Sequence, residues 1–333
     1  MLALDTIDQA SPWHAGERVL QDQAGVAERM QELGRRVLRD HLIDQHRAFY
    51  PQLPFIVLGT VDDEGDAWAT IRAANPGFLQ SPDPHTLNVR LDRERGDPAD
   101  AGMGDGAAIG MLGIELHTRR RNRLNGTVHR SGPLGFDVDV GQSYGNCPKY
   151  IQLRDFHFVR DPSTGPVTEP TTLAALDAGA RQMIASADTF FVATYAEFEN
   201  GQRQADVSHR GGKPGFVRIG DDGVLTIPDF AGNLFFNTLG NILANGKAGL
   251  VFADFDTGDL LQLSGDAHVV VDTPEVAAFE GAERLWRFTP RRIIRRPDAL
   301  PLRWASHDEG QSPSLRMTGC WDEAESRLNA SKA

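Results

Sequence analysis

The chain has 333 residues, 40% hydrophobic and 24% charged, which gives it the length for two ordinary domains and the composition of a globular protein. A formal net charge of −12 argues against general binding to nucleic acid or anionic membranes, so any phosphate site must be a local basic island. Cys147 and Cys320 are too few and too far apart for a disulfide framework or zinc cluster, and with no bilayer-length apolar run or signal-like N-terminus the expected location is cytoplasmic.

Residues 1–50 form an N-terminal helical region. Val19, Leu20, Val26, Met30, Leu33, Val37, Leu38 and Leu42 recur at helical spacing after Ser11-Pro12-Trp13, and Gly34 marks a soft spot. From residue 51 the texture turns β-rich. FIVLGTV, a polar DDEGD turn and AWATIRAAN read as a hairpin. HTLNVRL and AAIGMLGIEL follow, separated by the acidic, glycine-rich DRERGDPADAGMGDG, which is expected to be a mobile surface loop. NRLNGTVHR and GFDVDVGQSYG continue the strands to about residue 160.

Residues 161–187 read as a proline-rich linker followed by an amphipathic helix, TTLAALDAGARQMIASA, with a threonine N-cap. The β texture resumes at 188–305, and with it a diverged copy of the first half. Pro54–Phe78 and Thr189–Phe216 are each strand, turn and strand closing on Pro-Gly-Phe, with Phe78 and Phe216 offset by 138 residues. Gly110–Gly126 then aligns without gaps onto Gly249–Gly265 at an offset of 139. Two β-rich copies in one chain can pack as a pseudo-dimer with a site where they meet. The fold class is mainly β with peripheral helices: two tandem β-barrels. A Rossmann fold is excluded by the lack of alternating βα units. In the tail, 306–333, polar stretches are expected to be mobile and MTGCW to dock.

The second copy carries the chemistry. ADVSHRGGKPGF sets Ser208, Arg210 and Lys213 beside glycines at one strand end, a pattern suited to an anion such as phosphate. The first copy has Ala69, Ile71, Ala73 and Ala74 in that stretch, and only Arg72 keeps a charge. His209 points to the opposite face if the strand stays regular, which favours a structural over a catalytic role. The run His117–Arg123 is either a solvated turn or a positive rim, with Arg123 favoured because it aligns with Gln262. Cys147 in GNCPKY is either a thiol activated at a helix start or a small buried residue. Arg303-Trp304 would cap a planar ring or dock the tail.

ADVSHRGGKPGF, IPDFAGNLFFNTLGNILAN and LLQLSG together resemble the pyridoxamine 5′-phosphate oxidase-like family, whose fold is the FMN-binding split β-barrel. The resemblance spans Pro54 to about Tyr150 and Thr189 to about Val270. It implies non-covalent FMN between two barrels, the phosphate held by Ser208, Arg210 and Lys213, and amide contacts from Asn233, Asn237 and Asn241. Gln262 would reach the flavin ring, with Arg123, Lys149 and Tyr150 lining the site. Relatives with a similar loop often carry an arginine where this chain has Leu234-Phe235-Phe236, and the substrate-phosphate residues of true pyridoxine phosphate oxidases have no clear match. The implied activity is hydride or electron transfer between a small-molecule substrate and a donor such as NAD(P)H or a reductase, in a homodimer if one forms. Catalytic residues are not assigned. The alternatives are a non-catalytic flavin- or haem-binding protein and a scaffold that has lost its cofactor.

Overall fold

The computed structural model describes residues 11–330 except 133, 167 and 308. Helices α1 (Ala15–Gln23), α2 (Ala27–Val37) and α3 (Asp44–Phe49) come first. The break between α1 and α2 falls at Gly25, with φ +66°, whereas Gly34 lies inside α2 against Pro12 and Trp13. Seven strands follow: β1 (Phe55–Val61), β2 (Ala67–Ala73), β3 (Leu79–Gln80), β4 (Thr86–Val89), β5 (Ala108–Glu115), β6 (Arg120–His129) and β7 (Phe136–Gly145). They form one sheet in the order β2-β1-β5-β6-β7-β4-β3.

After β8 (Arg154–Phe158), β9 (Thr171–Leu173) and α4 (Ala178–Ser186), the pattern repeats. It runs through β10 (Thr189–Glu197), β11 (Arg203–Gly211), β12 (Arg218–Ile219), β13 (Leu225–Phe230), α5 (Asn237–Asn245), β14 (Lys247–Ala253), β15 (Leu260–Val270), α6 (Pro274–Ala278) and β16 (Ala282–Arg296). The second sheet runs β11-β10-β14-β15-β16-β13-β12, the order of the first, with β9 added on β16. Strand β17 (Leu302–Ser306) pairs with β8, and α7 (Trp321–Ala330) follows. The molecule is two tandem split β-barrels. Among the described residues no helix is long and apolar enough to cross a membrane.

Three main apolar cores hold it together. One fills each barrel, around Trp68 and Leu124 in the first and around Phe190 and Trp286 in the second. The third lies between them, where Phe55, Val57, Ala69, Ile71 and Leu112 meet Phe191, Ala193, Val207 and Val251. The barrels approach so closely there that side chains are excluded at matching positions. A Cβ on Gly110 would lie 2.7 Å from the Asp206 backbone, and one on Gly249 would lie 2.2 Å from Ala67 O. Register shifts also recur at matching places, before Gly126 in β6 and before Gly265 in β15.

Three segments differ from expectation. Thr171–Leu173 is extended because it pairs with β16, and the helix starts later, capped by Asp177, which accepts from Ala180 N at 2.8 Å. The acidic 92–106 segment is not a free loop, because Asp97, Ala99, Asp100 and Met103 are buried. The tail is helical from Trp321, whose indole is buried and donates to Phe216 O at 3.0 Å.

Helix α1 seals the second barrel by packing on α5, with Gly16 against Gly240. Its cap is reciprocal: His14 Nδ1 accepts from Gly16 N, and Glu17 accepts from His14 N at 3.0 Å. Glu17 also accepts from Asn237 at 2.5 Å, and burial followed by the nearby Asp206 carboxylate pushes its carboxyl well above the usual range. A raised folded-state value favours the protonated form, so this contribution is complete below the ordinary value of 4.5 and is lost as pH rises through the folded value. Melting temperature followed upward from pH 4.5 is expected to fall less in Glu17→Gln than in the wild type; parallel curves would refute a raised Glu17 value.

Candidate functional site

A buried ion pair at one end of the junction helps join the two barrels. Arg123, from β6 of the first, reaches Asp206 on β11 of the second at 2.8 Å, with both side chains at most 4% exposed. Asn125 donates to the same Asp206 oxygen at 2.8 Å, and Asn241 donates to the other at 3.2 Å. Arg123 also donates to Tyr144 Oη at 3.0 Å and to Ser208 Oγ, which accepts from Thr238 at 3.1 Å. This network closes the floor of a pocket at the junction of the barrels.

The pocket walls come from the ends of β6, β7, β11 and β13 and from the loop before α5. Strand alternation puts Arg121 on the face of Arg123, two residues on. The Arg121 guanidinium donates to Cys147 O, its Nε is buried without a partner, and among the described residues no carboxylate pairs with it. Burial, then Arg123 and Arg210, push it down to about 9, which still leaves it cationic at neutral pH. Arg210 Nε is likewise buried without a partner. The nearest carboxylate to Arg210, Asp229 at 3.8 Å, is held more closely by Arg284 at 3.1 Å. Two guanidinium groups therefore face one pocket whose lining carboxylates, Asp229 and Glu283, both pair with Arg284, and among the described residues only Asp229 comes within 4 Å of either, on Arg210. That arrangement is costly unless an anion completes it.

His209 lines the same pocket. Burial, then Arg121, Arg210 and Arg154, hold its imidazole well below the usual value, and its Nε2 has no partner. Lys149 Nζ and Tyr150 Oη both donate to Ala231 O, at 3.3 and 3.1 Å, and so brace the loop before α5. Burial pushes the Tyr150 phenol up to about 12. In that loop Leu234 and Phe236 take positive φ, +65° and +62°, conformations that store strain in non-glycine residues. Asn233 is tied to Asn146 at 3.1 Å.

Seven of the ten expected residues line this pocket: Ser208, Arg210, Asn233, Asn237, Arg123, Lys149 and Tyr150. Several of these are engaged within the protein, Asn237 by Glu17 and Tyr144 and Ser208 by Arg123. The other three lie elsewhere. Lys213 lines a separate groove with Asp188, His307 and Arg316, because the chain turns away after Gly211. Asn241 is fully buried between Thr194 and Asp206, one turn too deep along α5. Gln262 is buried on the opposite side of the pseudo-dimer, donating to Ala69 O and Asp97, each at 3.0 Å.

Cys147 lies in irregular chain before a turn at Lys149 and Tyr150, so no helix start activates it. Trp304 packs edge-on to Phe55 and Phe255 and docks the tail, while Arg303 pairs with Asp298 at 2.5 Å. Arg121 belongs to the basic run His117–Arg123, in which the sequence favoured Arg123 alone; its two-residue spacing from Arg123 is the signal that could have singled it out.

No protein-family profile and no curated protein matches the chain. Solved structures similar to parts of it include pyridoxamine phosphate oxidase-like proteins. HupZ of Group A Streptococcus shares 17% identity and a TM-score of 0.28, over 41% of this chain and 97% of its own. A putative pyridoxamine 5′-phosphate oxidase of Lactobacillus delbrueckii shares 13% and 0.26, over 32% and 95%. An FAD-binding protein of Mycobacterium smegmatis shares 15% and 0.26, over 38% and 97%.

Removing the Asp206 carboxylate leaves Arg123 buried and uncompensated, a loss of about 3–5 kcal/mol. Asp206→Ala is expected to lower the urea midpoint accordingly, and Asp206→Ala with Arg123→Met to recover part of the loss. Equal midpoints for wild type and Asp206→Ala would contradict the central role of the pair.

Proposed function

We propose that the chain binds FMN non-covalently in the Arg121–Arg210 pocket and passes a hydride or electrons through it between a donor and a small-molecule acceptor. The observation that carries this reading is the pair of half-buried guanidinium groups whose buried Nε atoms have no partner. A phosphate dianion satisfies both their charge and their hydrogen bonds, and arginine grips it in a planar fork. The residues therefore fit the phosphate end of the cofactor.

Free space supports one placement of the ring. The pocket holds about 100 Å³, less than the roughly 150 Å³ cavity that admits benzene. The arginine end would take the phosphate, and Tyr150, Phe230 and Phe236 of the lining would flank the ring. The strained Leu234–Phe236 segment is the part of the wall that gives way. When bound, the flavin supplies the redox chemistry and the protein supplies position and electrostatics. Both barrels of one chain build the pocket, so it needs no second copy. NAD(P)H or a reductase is the proposed electron source.

The neutral His209 with an open Nε2 favours a second reading, haem binding through that nitrogen. The two leave different spectra, flavin bands or a Soret band. Arg121→Ala and Arg210→Ala are each expected to weaken FMN binding about ten- to a hundred-fold, while Lys213→Ala leaves it unchanged, read by quenching of flavin fluorescence. A protein that ignores added FMN, or arginine variants that bind it as well as wild type, would overturn the assignment. NAD(P)H oxidation above the rate of free flavin separates an enzyme from a carrier.

A further inference from the structure

The repeat places a counterpart of this pocket on the first barrel. Through the 138-residue offset of the Pro-Gly-Phe turns, Thr70 answers to Ser208 and Arg72 to Arg210; through the offset of 139, Gln262 answers to Arg123. A groove does lie there, lined by Arg72, Ala73, Arg90, Arg93 and Glu94, just as Arg210, Gly211, Asp229 and Asn233 line the first. A second guanidinium, Arg296 from the end of β16, joins Arg72. It is 4% exposed and lies 3.3 Å from Gln262 and 3.5 Å from Thr70.

Here the basic groups are not left open. Glu94 bridges them, one oxygen 3.0 Å from Arg72 Nε and the other on Arg296. Asp97 lies 3.2 Å from Arg296 and accepts from Thr70 at 2.6 Å. Asp100 pairs with Arg72 at 3.1 Å. Three carboxylates from one short acidic segment thus meet two arginines, whereas in the other pocket Arg121 has no paired carboxylate among the described residues and the one near Arg210 is held by a third arginine.

We propose that Arg72 and Arg296 form a second oxyanion site, of the phosphate class, in which the ligand has been replaced by the chain's own carboxylates. Glu94 stands where the anion would lie, since a single group there contacts both guanidinium forks. Of the two anion sites that the repeat would provide, the chain therefore keeps one open. The inference rests on the pseudo-symmetry and the ion pairs, not on the identity of the cofactor.

Tungstate, a heavy tetrahedral oxyanion, tests it by anomalous diffraction from soaked crystals. Wild-type protein is expected to show no tungstate at Arg72 and Arg296. Glu94→Ala with Asp100→Asn is expected to gain one site there, and a further Arg72→Ala change to lose it. If the double variant does not fold, Glu94→Ala alone is read instead, since Glu94 lies outside every strand and is 20% exposed. Tungstate bound at Arg72 in the wild type, or none there in a folded variant, overturns the proposal. Tungstate missing at Arg121 and Arg210 counts against the phosphate pocket and leaves this test intact.

Discussion

The Arg123–Asp206 pair is the contact on which the arrangement of the two barrels turns. Each partner comes from a different half, and both are removed from water, so the pair is tolerable only because Asn125, Asn241, Tyr144 and Ser208 supply the remaining hydrogen bonds. The apolar core between the sheets brings the halves together, but apolar contact is not directional. The polar cluster fixes one relative placement, and with it the walls of the pocket above.

The two halves share a strand order, a pair of close-approach glycines and a pair of register shifts, yet they treat the same chemistry in opposite ways. Arg72 and Arg296 are neutralised from within by Glu94, Asp97 and Asp100. Arg121 and Arg210 face a cavity. The difference comes from the segment before the fifth strand of each half. In the first copy it is an acidic coil ending in a short 3₁₀ turn at Pro98–Gly102, and in the second an uncharged loop leading into α5. The repeat carries two arginine clusters, and the different connecting segments leave one of them neutralised and the other facing a cavity.

The N-terminal helices belong to the same design. Trp13 packs at a tilt against Phe235, 4.8 Å between ring centres, and Glu17 holds Asn237, so the α1 region fixes the loop and helix that form one wall of the pocket. A helical region outside the barrels thereby shields the inter-barrel network from solvent. Burial of that kind strengthens every charge interaction within it.

Much of this was legible in the sequence. Period-two alternation located the strands, the near-equal offsets exposed the repeat, and Ser208 and Arg210 marked the half that keeps a basic pocket, because these are local properties of spacing and residue type. Lys213, Asn241 and Gln262 carry the same kinds of side chain but serve other places, since a turn after Gly211, one helical turn and a crossing to the opposite barrel decide where each points. The acidic segment read as a surface loop because its charges suit water as well as they suit buried arginines, and only the fold brings Arg72 and Arg296 within reach. Sequence determined which charges the chain carries and that its β-unit occurs twice. Tertiary structure decided which charges cancel and which remain open, because ion pairing depends on distances between residues far apart in the chain.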